Sequence, residues 1–227
     1  MIYTTPSHQF PLGMIMPISR RRELLSFAEA HNSFIFEDDY DSELRYYQRP
    51  IPALKSIDYL DRVIYLGTFS KILSPFFVWA IWFCQNKSTE SFLEKFKFYN
   101  SMVNLLNQIT LANILSSGDY DLLVRKMNHV FKKRYDAFKK EFEQFNTPIK
   151  LSSNVSGQYF LVTFLDKINQ CDAIKRAEKE GVRVYDTMQF WQEKADCLQE
   201  SLFIGFSKID LEDIPDCIRR FRKAWEN

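Results

Sequence analysis

Glycine is scarce, with 6 in 227 residues. Neither G-x-G-x-x-G nor G-x-x-x-x-G-K occurs, so the two glycine-rich loops that cradle phosphate on backbone N–H groups are excluded, as are collagen-like and linker-like chains. An excess of either charge is also lacking: 30 basic residues stand against 29 acidic ones, a net charge of +1. A chain that grips nucleic acid carries a basic surplus, so direct nucleic-acid binding through this chain is not expected. The four cysteines, Cys84, Cys171, Cys197 and Cys217, form no C-x-x-C and fit neither a zinc site nor a disulfide framework. They read as scattered thiols of a reducing compartment, and a cytoplasmic location with no metal is expected. The opening residues carry no basic and then apolar stretch, so no signal peptide is read there. The longest apolar run, 75–84, falls well short of the ~20 residues that span a bilayer, and no membrane contact is expected.

Phenylalanine is abundant, at 21, and apolar residues make up 46%, which suits a folded soluble chain. A short strand is predicted at 2–5 and a proline-containing loop at 6–17. A helix follows at 20–31, with Ser19 as its cap and Leu24, Leu25, Phe27 and Ala28 at helical spacing. A buried strand at 33–36 runs into Glu37-Asp38-Asp39-Tyr40-Asp41, and another at 62–66 runs into Gly67-Thr68-Phe69-Ser70-Lys71. An aromatic strand is predicted at 76–84. Strand, helix and strand with polar connections describe an α/β sheet, whose functional loops lie at the carboxyl ends of the strands. Asp38, Tyr40 and Lys71 stand at those ends.

Helices are predicted at 89–99, at 104–117 with Gly118 as the stop, and at 119–145. The last carries Val124, Met127, Val130, Phe131, Tyr135, Phe138 and Phe142 as a core stripe. Strands at 158–165, 182–185 and 201–206, with helices at 171–180 and 210–225, complete a smaller α+β unit. The expected division is 1–118 as part of a large α/β domain, 119–147 as a connecting helix, and 148–227 as the small domain. His31 and His129, on helices, read as surface or packing residues, and the basic runs Arg20-Arg21-Arg22 and Lys132-Lys133-Arg134 as solvated helix faces.

A lysine after an apolar strand, a carboxylate and a phenol are the groups that pyridoxal 5'-phosphate requires of its host. The stretch Thr5-Pro6-Ser7-His8-Gln9-Phe10-Pro11-Leu12-Gly13 resembles the T-P-S-H-Q-F-P-T-G motif of the MocR/GabR-type regulators of the GntR family. Glu37-Asp38-Asp39-Tyr40-Asp41-Ser42-Glu43-Leu44-Arg45-Tyr46 and Gly67-Thr68-Phe69-Ser70-Lys71-Ile72-Leu73-Ser74-Pro75 are similar to two further motifs of these proteins, in the same order. The resemblance implies the fold of a type I PLP-dependent aminotransferase, here a partial large domain with a mostly parallel sheet plus a small domain. It implies that Lys71 is the Schiff-base lysine, that Asp38 pairs with the pyridine nitrogen, and that Tyr40 contacts the ring oxygen. Thr68 and Ser70 match hydroxyls near the phosphate. His8 lies in the first motif, with cofactor contact and a structural role both open.

Two positions depart from the family pattern. Val78 stands where an arginine clamps the cofactor phosphate, and an alkane cannot replace that charged fork. Lys208 stands where an arginine receives the ligand carboxylate, with substrate contact and an ordinary surface lysine as the two readings. The resemblance also implies that a helix-turn-helix module and the first half of the cofactor domain are missing, which exposes apolar surface and a sheet edge and favours a homo-oligomer. Three functions stay open: sensing of a small amine or amino acid for a regulator, which is favoured; aminotransferase catalysis; and a non-catalytic assembly remnant that binds no cofactor.

Overall fold

The computed structural model describes residues 1–47, 51–73, 79–84, 86–99, 103–152, 157–166 and 168–226. The chain divides into two compact units. The first comprises Met1–Phe10 and Met14–Met127, the second Pro11–Gly13 and Asn128–Asn227.

The first unit is built on a sheet of order β1-β2-β3-β4. Strands β1 (Ile2–Thr4), β2 (Ile35–Asp39) and β3 (Val63–Thr68) are parallel, and β4 (Ala80–Phe83) runs antiparallel to β3. Parallel neighbours need a crossover, which helix α1 (Ile18–Ala30) supplies between β1 and β2. The buried residues Ala28, Ile35, Leu54 and Val63 form the core, with Ile2, Leu24 and Leu25 packed against them. Of the strand predicted at 76–84, Ala80–Phe83 forms; 76–78, with Val78, lie outside the described residues.

Two local expectations for α1 are overturned. Its N-cap is Pro17, with no side-chain capping bond, and Ser19 lies inside the first turn. Arg21 is not on a solvated face: it is fully buried. It shares the i, i+3, i+4, i+7 stripe with Leu24, Leu25 and Ala28, so the helix turns it inward.

Helices α2 (Asn86–Phe96), α3 (Leu105–Ser116) and α4 (Asp119–Phe142) follow. The Asn104 side chain caps α3 by accepting from the Leu106 N–H at 2.8 Å. Gly118, at φ +80°, turns the chain between α3 and α4, as its prediction as a stop requires. The division between the units falls within α4, after Met127.

The second unit has an antiparallel sheet, β5 (Ile149–Leu151), β6 (Tyr159–Phe164) and β7 (Ser201–Gly205), with helices α5 (Gln170–Lys179) and α6 (Ile214–Glu226). Its core is aromatic: Phe131, Tyr135, Phe138 and Phe142 of α4 are buried, as are Phe160, Phe164, Phe206 and Phe221. The Tyr135 and Phe160 rings stack at 4.9 Å and Phe160 meets Phe206 at 5.1 Å, within the range of favourable aromatic pairs. Val130 departs from the expected stripe and is exposed. The strand predicted at 182–185 does not form; Tyr185 alone bridges to Phe203. Strand β5, not predicted, pairs with β6. Arg134, also read as solvated, donates to the Ser207 carbonyl and to Asp210 Oδ1. Among the described residues no helix is long and apolar enough to cross a membrane.

Candidate functional site

The acidic run is divided by the pleat of β2. Successive side chains leave a strand on opposite faces, and Ile35, Glu37 and Asp39 are buried while Phe36 and Asp38 are half-buried. Four carboxylates therefore serve as internal braces. Glu37 accepts from the backbone N–H groups of Leu54 at 2.7 Å and Lys55 at 2.9 Å, and its Oε1 lies 3.8 Å from Arg21 Nη1. Arg21 donates to the carbonyls of Met16 at 3.0 Å, Pro52 at 2.9 Å and Pro6 at 2.9 Å. Asp39 accepts from the Tyr65 hydroxyl at 2.8 Å. Asp41 pairs with His8 Nδ1 at 2.6 Å, and Glu43 accepts from the Tyr120 hydroxyl at 3.1 Å.

Burial sets the titration of these groups. It pushes the Glu37 and Glu43 carboxyls up and the Arg21 guanidinium down, because the charged forms lose water. The Tyr65 and Tyr120 phenols are pushed up by burial first and by the carboxylates beside them second.

The other face of the strand ends carries the reactive groups. Asp38 Oδ2 accepts from the Tyr3 hydroxyl at 2.5 Å. Tyr3 is pushed up to about 12, chiefly by that bond. The Tyr40 hydroxyl donates to the His8 carbonyl at 2.7 Å. Thr68 gives its single hydroxyl hydrogen to the Trp79 carbonyl at 3.2 Å, so the Ser70 hydroxyl, 2.9 Å from Thr68 Oγ1, is the donor of that pair. The Ser70 N–H also points at Thr68 Oγ1, at 3.2 Å. Lys71 follows on a turn in which the Ile72 and Leu73 N–H groups return to the Phe69 carbonyl. Its side chain is exposed and makes no hydrogen bond or ion pair among the described residues.

Parallel pairing puts these groups at one end of the sheet, with Asp38 opposite Leu66 and Asp39 opposite Gly67. Asp38, Tyr40, Thr68, Ser70 and Lys71 all belong to the first unit. His8 does too, but it is 2% exposed, with its ring on Asp41 and its carbonyl on Tyr40. Lys208 lies in the second unit, on the turn after β7, where it lines a groove with Arg183, Arg220 and Cys217. Tyr3 and Arg21 were not singled out from the sequence. Arg21 could have been found by its place on the apolar stripe of α1. Tyr3 could not, because its partner is 35 residues away. No cluster of metal-ligating side chains occurs among the described residues.

No protein-family model matches the chain. Among curated proteins, it is 34% identical to the uncharacterized HTH-type transcriptional regulator YhdI of Bacillus subtilis, over 99% of this chain and 48% of that protein. It is 33% identical to the uncharacterized HTH-type regulator YdeL of the same organism, over 100% of this chain and 49% of that protein. It is 29% identical to the probable rhizopine catabolism regulatory protein MocR of Rhizobium meliloti, over 99% of this chain and 45% of that protein. The chain thus spans about half the length of the curated relatives it matches. Among solved structures, a kynurenine aminotransferase of Pyrococcus horikoshii superposes with a TM-score of 0.86 at 28% identity, over 98% of this chain and 55% of that one. A multiple substrate aminotransferase from Thermococcus profundus gives 0.84 at 28% identity, over 98% and 55%. The partly parallel sheet, its order and these neighbours establish a type I aminotransferase fold. Over its whole length the chain is thus similar to about half of these HTH-type transcriptional regulators, MocR among them, and that stretch has the aminotransferase fold.

Proposed function

We propose that this chain holds pyridoxal 5'-phosphate at the carboxyl ends of β2 and β3 and senses a small amine or amino acid on behalf of a transcriptional regulator. One observation carries the reading: an exposed amine with no partner among the described residues, Lys71, and a half-buried carboxylate, Asp38, stand at the same end of two adjacent parallel strands. The donor set fits the ring end of the cofactor. Lys71 supplies the amine that attaches to an aldehyde, Asp38 a carboxylate for a protonated pyridine nitrogen, and Tyr40 a phenol for the ring oxygen. At the phosphate end the described residues supply the hydroxyls of Thr68 and Ser70; Val78 lies outside them.

When bound, pyridoxal phosphate supplies a carbonyl open to amines and a ring that draws electrons. The chain's own residues prepare for it. The exposed Lys71 side chain makes no hydrogen bond or ion pair among the described residues and is available as a nucleophile. Asp38 is acceptor-only when ionised and pairs best with a cation, here the ring N–H. His8 and Asp41 hold the loop that carries the Tyr40 acceptor, so the phenol is held in place with its hydrogen on that carbonyl and its oxygen left to accept. A group held through an amine is open to exchange by another amine, which names the effector class. Binding of DNA is not assigned to this chain, whose charges nearly cancel.

The test is to mix the chain with pyridoxal phosphate, reduce with borohydride and map the peptides by mass. A pyridoxyl group on Lys71, lost in Lys71→Ala, is expected; an unmodified Lys71 in the wild type would overturn the reading. The likeness to aminotransferases at 28% identity keeps catalysis as the second reading. Sustained turnover of an amino donor with a keto acid would favour it over sensing.

A further inference from the structure

We propose that Tyr3 is a positioning residue for Asp38, anchoring one carboxylate oxygen so that the other is presented to the pyridine nitrogen of the cofactor. This rests on the cofactor reading above. The two side chains are 35 residues apart and are brought together by the pairing of β1 with β2. Tyr3 lies opposite Phe36, so its side chain leaves the sheet on the face that Phe36 and Asp38 share. Its hydroxyl reaches Asp38 Oδ2 at 2.5 Å, the length of a charge-assisted O–H···O⁻ bond.

The phenol suits this task. Its proton is held up to about pH 12, chiefly by Asp38, so it stays a neutral donor through the whole physiological range. A donor on one carboxylate oxygen leaves the other as an acceptor for a protonated ring nitrogen. It also fixes the plane of a side chain whose terminal torsion is otherwise broad. Packing does not account for Tyr3: the residue is 65% exposed, so little apolar area holds it in place. The hydroxyl contact is what the strand pairing achieves here.

The experiment titrates the full chain with pyridoxal phosphate, following affinity by absorbance and attachment by borohydride reduction. Tyr3→Phe is expected to retain attachment at Lys71 but to bind about tenfold or more weakly, the scale of one lost bond to a charged group. In an Asp38→Asn background the same change is expected to alter affinity less than about twofold, because the bond's charged partner is gone. A merely structural Tyr3 would cost the same in both backgrounds. Equal costs, or a Tyr3→Phe that binds like the wild type, overturn the proposal while attachment at Lys71 leaves the cofactor reading standing. No attachment in the wild type overturns both. If a variant does not fold or binds too weakly, a tyrosine labelled at position 3 alone is titrated by NMR in the otherwise wild-type chain. A Tyr3 resonance that titrates well above the ordinary phenol value of 10 and moves on adding pyridoxal phosphate supports the proposal; an ordinary titration, or no movement, overturns it.

Discussion

Arg21 is the residue on which the loops of the first unit converge. Its guanidinium closes onto three backbone carbonyls and stands beside Glu37, all without solvent. Removing one partner of a buried pair strands the other, at a cost of about 3–5 kcal/mol. Arg21→Ala is therefore expected to lower unfolding stability by about that amount in urea titration, whereas Arg22→Ala, on the exposed side of the same helix, should change it by less than about 0.5 kcal/mol. Glu37 adds a pH dependence. Its folded carboxyl is raised above the ordinary 4.5 by burial, so the native state holds a proton more tightly than the unfolded chain. Its contribution is present at low pH and is lost as pH rises from 4.5 through the raised folded value. The stability of the wild type relative to Glu37→Gln should fall over that window in denaturation curves taken at stepped pH; a flat or rising difference would contradict the assignment.

Strand β2 shows how an element sorts chemistry. A run of acids looks uniform in sequence, but the pleat sends Glu37 and Asp39 inward to fixed partners and turns Asp38 to the opposite face. In the second unit, α4 contributes Phe138, 1% exposed, to a stack that includes Phe142, Phe160 and Phe206. Phe138→Ala is expected to destabilise the unit by about 3–5 kcal/mol, read by thermal or urea unfolding. Gly181, after α5, sits at φ +76°, and an added Cβ would meet only Arg220 Nη1 at an ordinary 3.6 Å. The cost of Gly181→Ala is thus in the backbone, about 1–2 kcal/mol, and a neutral result would show that the turn relaxes.

In the chain as a whole, apolar surface is left uncovered in a way that bears on assembly. Helix α3 has no buried residue, and Leu105 and Leu106 are 68% and 72% exposed. Phe98 is 88% exposed, and β1 is an edge of its sheet. Such surfaces favour association. We propose self-association, and expect size-exclusion elution to move toward larger species with concentration; a clean monomer at every concentration would count against it.

The α/β class and the place of Asp38 and Lys71 at strand ends were legible in the residues, because strand and helix periods and turn chemistry are local, whereas the mostly parallel sheet was implied by the family resemblance. The long helix was legible for the same reason, through the spacing of Phe131, Tyr135, Phe138 and Phe142. The strand expected at 182–185 was not, since only Tyr185 finds a partner and one bridge does not make a strand. Nor were the bonds of Tyr3 to Asp38, His8 to Asp41 and Arg21 to Pro52 legible, which join residues 35, 33 and 31 apart. Composition and period assign a side chain to a face; which partner meets it there depends on strand pairing and loop closure, and those are set by the packing of the folded chain.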